Sequence, residues 1–173
     1  MDPSRLISFR PFKLSDIDHF MTWASDDRVT RYLILNSMTS KNQGLDYLEK
    51  VAIPHPFHLS ICLNDLSIGY VSITQESGIN RCRARISLAL AFEHWGQGIA
   101  TLAVKYAVTR GFEKFKDLVR IEGIVEVDCE GSQRVLEKVG FRNEGLLRKY
   151  AFNKGEIRDV YVFSILSTDP ISA

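Results

Sequence analysis

The sequence predicts a mixed α/β domain, a β-sheet covered by helices, and three observations predict it. Apolar residues alternate with other residues in runs near residues 6–12, 57–74, 83–92, 118–127, 141–152 and 158–166, the two-residue period of strands. Between those runs lie patches with three- and four-residue spacing, near 17–23, 40–51, 99–115 and 135–139, the period of helices. No repeat, linker or low-complexity segment interrupts the 173 residues, so one compact layered domain over residues 1–173 is expected.

The elements follow in order. Leu6, Ser8, Arg10 and Phe12 alternate with Ile7, Phe9 and Pro11 as a first strand. Ser15 and Asp16 then supply a start signal for a helix carrying Ile17, Phe20 and Trp23, the aromatic pair being assigned to the core. A second helix over 40–51 is closed by Ile53-Pro54 and Pro56. The runs FHLSICL and IGYVSIT flank Asn64-Asp65-Leu66-Ser67 as a β-hairpin. In the strand near 83–92, Ile86, Leu88, Leu90 and Phe92 share one face. Ser87, Ala89 and Ala91 keep the other small, leaving room for a thin ligand. The helix near 99–115 repeats apolar residues on two stripes and is expected to be buried on most sides. Near 118–127 the chain places Val119, Ile121, Val125 and Val127 opposite Arg120, Glu122 and Glu126, giving a strand with a charged face. A helix with Val135, Leu136 and Val139 ends at Gly140, a residue suited to a left-handed C-cap. Two strands complete the sheet.

Composition narrows the function classes. Charged residues are 25% of the chain and the net charge is +1, so no global field draws it to nucleic acid or to an anionic membrane, and neither is expected as a partner. The opening MDPSRLISFR lacks an apolar signal core and no run approaches the roughly 20 apolar residues of a membrane helix, so a cytoplasmic location is expected, with nuclear diffusion open. Cys62, Cys82 and Cys129 have neither CxxC nor Cys/His spacing and read as free thiols. His55 and His58, in IPHPFH, read as loop and strand-edge residues, and no metal is assigned.

The stretch WGQGIAT, residues 95–101, carries the strongest chemical signal. Two glycines at the end of a strand, opening directly into a helix, aim unpaired backbone N–H groups at one spot, and such a turn holds phosphate. A lone GxG equally suits a tight turn with no ligand.

From Trp95 onward, WGQGIAT, GSQRVLEKVGF, EGLLRKY and GEIRDVYVFSIL, together with the opening ISFRPFKLSD and DDRVTRYL, resemble the RimJ/RimL-like branch of the GNAT N-acetyltransferase superfamily over roughly residues 5–168. The resemblance implies a mixed, mostly antiparallel sheet of about six to seven strands with helices on both faces. It implies acetyl-CoA as donor, CoA as product, and a primary amine as acceptor, often the α-amino group of a protein N-terminus. Carried onto this chain, pantetheine lies along Leu88, Leu90, Ala91 and Phe92, and pyrophosphate over Trp95, Gly96, Gln97, Gly98, Ile99, Ala100 and Thr101. An N–H near Leu90 or Ala91 is expected to steady the oxyanion.

Departures from the family pattern bear on mechanism. Cys129 in CEGS stands where relatives carry Asn near the cofactor, exchanging an amide for a weak thiol donor. A covalent acetyl-cysteine route competes there with an inert or oxidation-sensitive thiol. Leu136 stands where many superfamily members have a Tyr acid, which leaves Ser132 as the candidate donor to the thioester sulfur, against a purely local hydrogen bond in the helix's first turn. Arg85 and Ala151 stand where relatives have carboxylate bases. Glu122 and Glu144 therefore remain as base candidates, with His94 behind them, each carboxylate having a salt bridge to an arginine such as Arg120 or Arg148 as its alternative role. An α-amino group, with pKa about 8 against about 10.4 for lysine, needs little help from a base, so weak base equipment favours an N-terminus. The competing readings are a small-amine acetyltransferase acting on a polyamine or amino-sugar, and an acetyl-CoA-binding sensor without turnover. Loops at 36–43 and 153–155 would shape the acceptor cleft, and the oligomeric state is left open.

Overall fold

A computed structural model describes residues 6–172. Seven strands hydrogen-bond in the order β1-β2-β3-β4-β5-β7-β6 and are flanked by helices. The pairs β1–β2, β2–β3, β5–β7 and β6–β7 are antiparallel, and β4–β5 runs parallel. The chain groups into two compact units, one formed by residues up to Ser72 with Leu88–Ala103, the other by Ile73–Ser87 with residues from Val104 onward.

In the first unit, β1 (Ile7–Pro11) pairs with β2 (His58–Leu63), which pairs with β3 (Leu66–Gln75). The β2–β3 turn is shorter than the sequence suggests. Asn64 and Asp65 alone make it, both left-handed at φ 51° and 64°, while Leu66 and Ser67 already pair with Leu63 and Cys62. Gly69 is required by close approach, since a Cβ there would lie 2.2 Å from the Ala89 carbonyl oxygen.

α1 (Ile17–Ala24) buries Ile17, Phe20, Trp23 and Ala24 on one stripe. Asp16 does not cap it. The carboxylate instead accepts two hydrogen bonds of 2.8 Å from Arg10 and one of 2.9 Å from the Lys13 N–H, tying the helix entry to β1. α2 (Asp27–Thr30) is capped by Asp26. α3 (Lys41–Tyr47) is capped by Ser40, whose hydroxyl accepts from the Gln43 N–H, and it runs on as a π-helical turn over Leu48–Ala52 before the break at Pro54. The helices pack Phe20, Trp23 and Leu48 around Tyr70, Ala89 and Ala91. The small face expected to admit a thin ligand is therefore filled: Ala89 and Ala91 make room for core aromatics. His58 is not an edge residue either. It is buried and stacks on Tyr70 at 4.6 Å, with Phe12 and Tyr47 rings about it.

In the second unit, β4 (Arg83–Leu90) pairs with β5 (Arg120–Glu126) only from Arg83 to Arg85. β5 turns Ile121, Gly123 and Val125 inward as its alternation predicts, but Val119 precedes the strand and is half exposed. α4 (Ile99–Lys114) contributes its later turns here, with Gly111 against Ile73 and Ile121. Its buried residues, Ile99, Ala103, Val104, Ala107, Val108 and Gly111, form one stripe rather than most of its circumference; Thr109 and Arg110 are exposed. α5 (Glu130–Val139) packs Leu136 onto Gly123 and ends at left-handed Gly140, φ 111°. β6 (Arg142–Asn153) and β7 (Glu156–Leu166) form the last hairpin, where Tyr150 and Phe152 are exposed.

Candidate active site

The turn after β4 is built by backbone conformation. Gly96 and Gly98 are left-handed at φ 74° and 80°, and open space surrounds the position of a Cβ at each. Ile99 opens α4, so the first-turn N–H groups of a sixteen-residue helix lie beside the glycines without partners inside that helix. Two side chains brace the turn. Trp95 donates its indole N–H to the Leu90 carbonyl at 2.7 Å, and Gln97 donates its amide to the Glu93 carbonyl at 2.9 Å. Phe92 lies 5.0 Å from the Trp95 ring, and both are nearly half exposed.

The expected donor residues thus form one continuous stretch with divided roles. Leu90, Ala91 and Ile99 are buried, so what they present to a ligand is backbone. Leu88, Ala100 and Thr101 are half-buried, and Gly96, Gln97 and Gly98 are exposed. The Ala91 N–H is committed to the Ile68 carbonyl at 2.8 Å, which removes it as an oxyanion donor. Alternation along a strand turns the Leu90 N–H toward the opposite edge of β4.

Cys129 and Ser132 meet at the start of α5. The Cys129 thiol donates to the Ser132 hydroxyl oxygen at 3.1 Å, leaving the serine O–H its own proton to give. Arg134, next on this helix, is held by Glu130 at 2.6 Å.

Glu122 and Glu144 are brought together by one arginine. Arg120 gives its Nε to Glu122 at 2.7 Å and both terminal nitrogens to Glu144, at 2.8 and 2.5 Å. Ser164 adds a hydroxyl to Glu144 at 2.6 Å. Hydrogen bonds from Arg120 and then from Ser164 hold the Glu144 carboxyl down at about 2, so it is a very weak base. A second cluster, unforeseen in the sequence, holds Glu126 between the Asn153 amide at 2.6 Å and Arg158 at 3.5 Å. Arg85, in the place of a carboxylate, pairs with Glu76 at 3.3 Å. His94 is 3.4 Å from Glu93.

Arg28 was also missed. Its guanidinium lies 4.0 Å above the Phe92 ring and is clamped by Asp26 through Nε and Nη2. The signal was DDRV, an N-cap aspartate two residues before an arginine, but the stack on Phe92 joins residues 64 positions apart (92 − 28).

Residues 5–142 match the family model for the acetyltransferase (GNAT) domain. The chain belongs to the GNAT acetyltransferases. It is an acyltransferase of a family that takes an acetyl group from acetyl-CoA and gives it to an amine. This GNAT chain is 33% identical, over 94% of both chains, to the uncharacterized N-acetyltransferase p20 of Bacillus licheniformis. Among solved structures it is similar to Mycobacterium smegmatis RimJ in complex with CoA-disulfide, with TM-score 0.78 and 24% identity over 93% of this chain and 82% of that one. It is equally similar in fold to Vibrio cholerae spermidine N-acetyltransferase in complex with CoA and spermine, with TM-score 0.79 and 20% identity over 95% and 97%. Among the described residues, no helix of this GNAT acetyltransferase is long and apolar enough to cross a membrane.

Proposed function

We propose that this enzyme transfers the acetyl group of acetyl-CoA directly to the N-terminal α-amino group of a protein or peptide. The observation that carries the acceptor class is that Arg120 binds both base candidates, Glu122 and Glu144, and leaves Glu144 unprotonated down to about pH 2. An α-amine, with pKa about 8, is partly neutral at physiological pH without a protein base, whereas a lysine or polyamine amine near 10 is not.

The residues fit the donor. Left-handed glycines with open space above them, followed by the free N–H groups of α4, suit a pyrophosphate. Bound there, acetyl-CoA supplies an activated thioester. Residues 95–101 would hold the phosphates, Leu88 and Phe92 would flank the pantetheine, and the Leu90 N–H would be the donor for the acetyl oxygen. The amine nitrogen would form the new C–N bond at the acetyl carbon, and the C–S bond would then break to release CoA as its thiolate. Ser132, which accepts from the Cys129 thiol, keeps its own O–H to donate in turnover, and the amine's proton passes to solvent. In this reading Cys129 stays unacylated.

Two assays test the reading. Calorimetric titration with acetyl-CoA is expected to show binding that Gly98→Glu removes; no binding by the wild-type protein would overturn both the enzyme and the sensor readings. Turnover is then compared between N-terminal peptides and spermidine. Acetylation of spermidine alone would overturn the acceptor assignment, and binding without any turnover would favour the sensor.

A further inference from the structure

The stack of Arg28 on Phe92 has no role in the reading above, and it sits beside the stretch assigned there to the pantetheine, two residues beyond the Leu90 N–H given to the acetyl oxygen. Phe92 follows β4 by two residues, packs at 5.0 Å against Trp95, and Trp95 is pinned to the Leu90 carbonyl. Arg28 extends this layered group from α2, its guanidinium carbon 4.0 Å from the Phe92 centroid. All these residues belong to the first compact unit.

The arginine is preorganised by a single carboxylate. Asp26 accepts from the Arg28 backbone N–H at 2.9 Å, and from its side chain through Nε at 3.0 and 3.2 Å and Nη2 at 2.6 Å. Nη1 has no partner among the described residues, although the side chain is 61% exposed and fixed on two sides. The entropy of ordering this long side chain is therefore spent in the fold rather than on binding. A guanidinium only donates hydrogen bonds, so its free nitrogen is matched by an acceptor oxygen.

Resting on the proposed N-terminal acetyl transfer, we infer that Arg28 is a specificity-determining residue: its free Nη1 takes the carbonyl or the acidic side chain beside the acceptor amine. A peptide N-terminus carries such an oxygen within a few bonds of the nitrogen. A protonated polyamine carries only donors and a like charge, and Arg28 offers it no favourable contact. The preferred substrates are peptides with an acidic residue near the N-terminus, where the contact becomes charge-assisted.

The test is initial-rate kinetics on three peptides differing only at the second residue, Asp, Ala or Lys, and on spermidine. The proteins are wild type, Arg28→Gln, Arg28→Glu, Arg28→Lys, and Arg110→Glu as a charge-reversal control at an exposed helix position. Acetyl-CoA affinity by calorimetry reports folding of each variant. The wild-type protein and the control are expected to favour the Asp peptide. Arg28→Gln should raise its KM by roughly tenfold to a hundredfold, the range for losing a hydrogen bond to a charged group, with kcat and acetyl-CoA affinity unchanged. Arg28→Glu should invert the Asp-over-Lys preference, and Arg28→Lys should retain part of it. An unchanged Asp/Lys ratio in a variant that still binds acetyl-CoA overturns the role of Arg28 and leaves N-terminal transfer standing. Lost acetyl-CoA affinity in all three Arg28 variants also overturns it, in favour of a structural role. Wild-type turnover of spermidine and no peptide overturns both readings together.

Discussion

Arg120 and Glu144 form a two-pronged ion pair, the arginine's terminal nitrogens 2.8 and 2.5 Å from the two carboxylate oxygens. With Nε on Glu122, one guanidinium satisfies both carboxylates that were candidates for the general base.

Glu144→Gln is therefore expected to leave kcat/KM for an α-amine acceptor within about threefold of wild type and its pH profile above pH 6 unmoved. The larger effect is on stability in acid. A carboxyl held at about 2 against an ordinary 4.5 contributes stability that is present above pH 4.5 and is lost as pH falls from 4.5 toward 2. With the side chain 44% exposed, solvent screening keeps that contribution under about 1 kcal/mol. A more than hundredfold fall in kcat with an altered pH profile would restore Glu144 as the base.

Ser132→Ala, which removes the hydroxyl proposed to donate in turnover, should lower kcat about tenfold while the affinity for acetyl-CoA holds, the effect expected for losing one hydrogen bond. Cys129→Ala should retain transfer within a fewfold. Mass spectrometry of the enzyme incubated with acetyl-CoA alone should find Cys129 unmodified, and an acetylated thiol competent to pass its group to an amine would revive the covalent route.

Glycines of two kinds should respond differently. Gly69→Ala drives a Cβ to 2.2 Å from the Ala89 oxygen, an overlap relieved only by moving backbone, and should cost about 3 kcal/mol or more of stability. Gly96→Ala meets no atom within 4 Å and should cost only the left-handed strain of about 1 kcal/mol. Chemical denaturation of the two variants separates them. Gly98→Glu should fold, yet lose at least roughly tenfold in acetyl-CoA affinity as its carboxylate meets the phosphates.

His58 should make the protein acid-sensitive. Burial, with a smaller effect of neighbouring His55, lowers its pKa from 6.5 to about 4, and its Nε2 has no hydrogen-bond partner among the described residues. The unfolded chain therefore takes up the proton first. Stability is full above pH 6.5 and falls as pH drops from 6.5 to about 4, by about 3 kcal/mol at roughly 1.36 kcal/mol per pH unit. His58→Phe keeps a ring against Tyr70 and should flatten Tm between pH 4 and 6.5. An equally steep loss in that variant would assign the acid transition elsewhere.

Much of the architecture is local and was legible in the chain. Period-two and period-3.6 patterning located the strands and long helices, because one face of each must be buried. Gly140 marked a helix end through its own backbone chemistry, and WGQGIAT disclosed its turn because two left-handed residues before a helix admit few alternatives to glycine. Tertiary structure decided whatever depends on partners distant in sequence. Asp16 reads as a helix cap but is claimed by Arg10; His58 reads as an edge residue but is covered by Tyr70, Phe12 and Tyr47. A carboxylate's basicity, likewise, is set by the groups around it: Glu144 becomes a weak base only where folding sets Arg120 and Ser164 against it, since hydrogen bonds and charge act through space rather than along the chain.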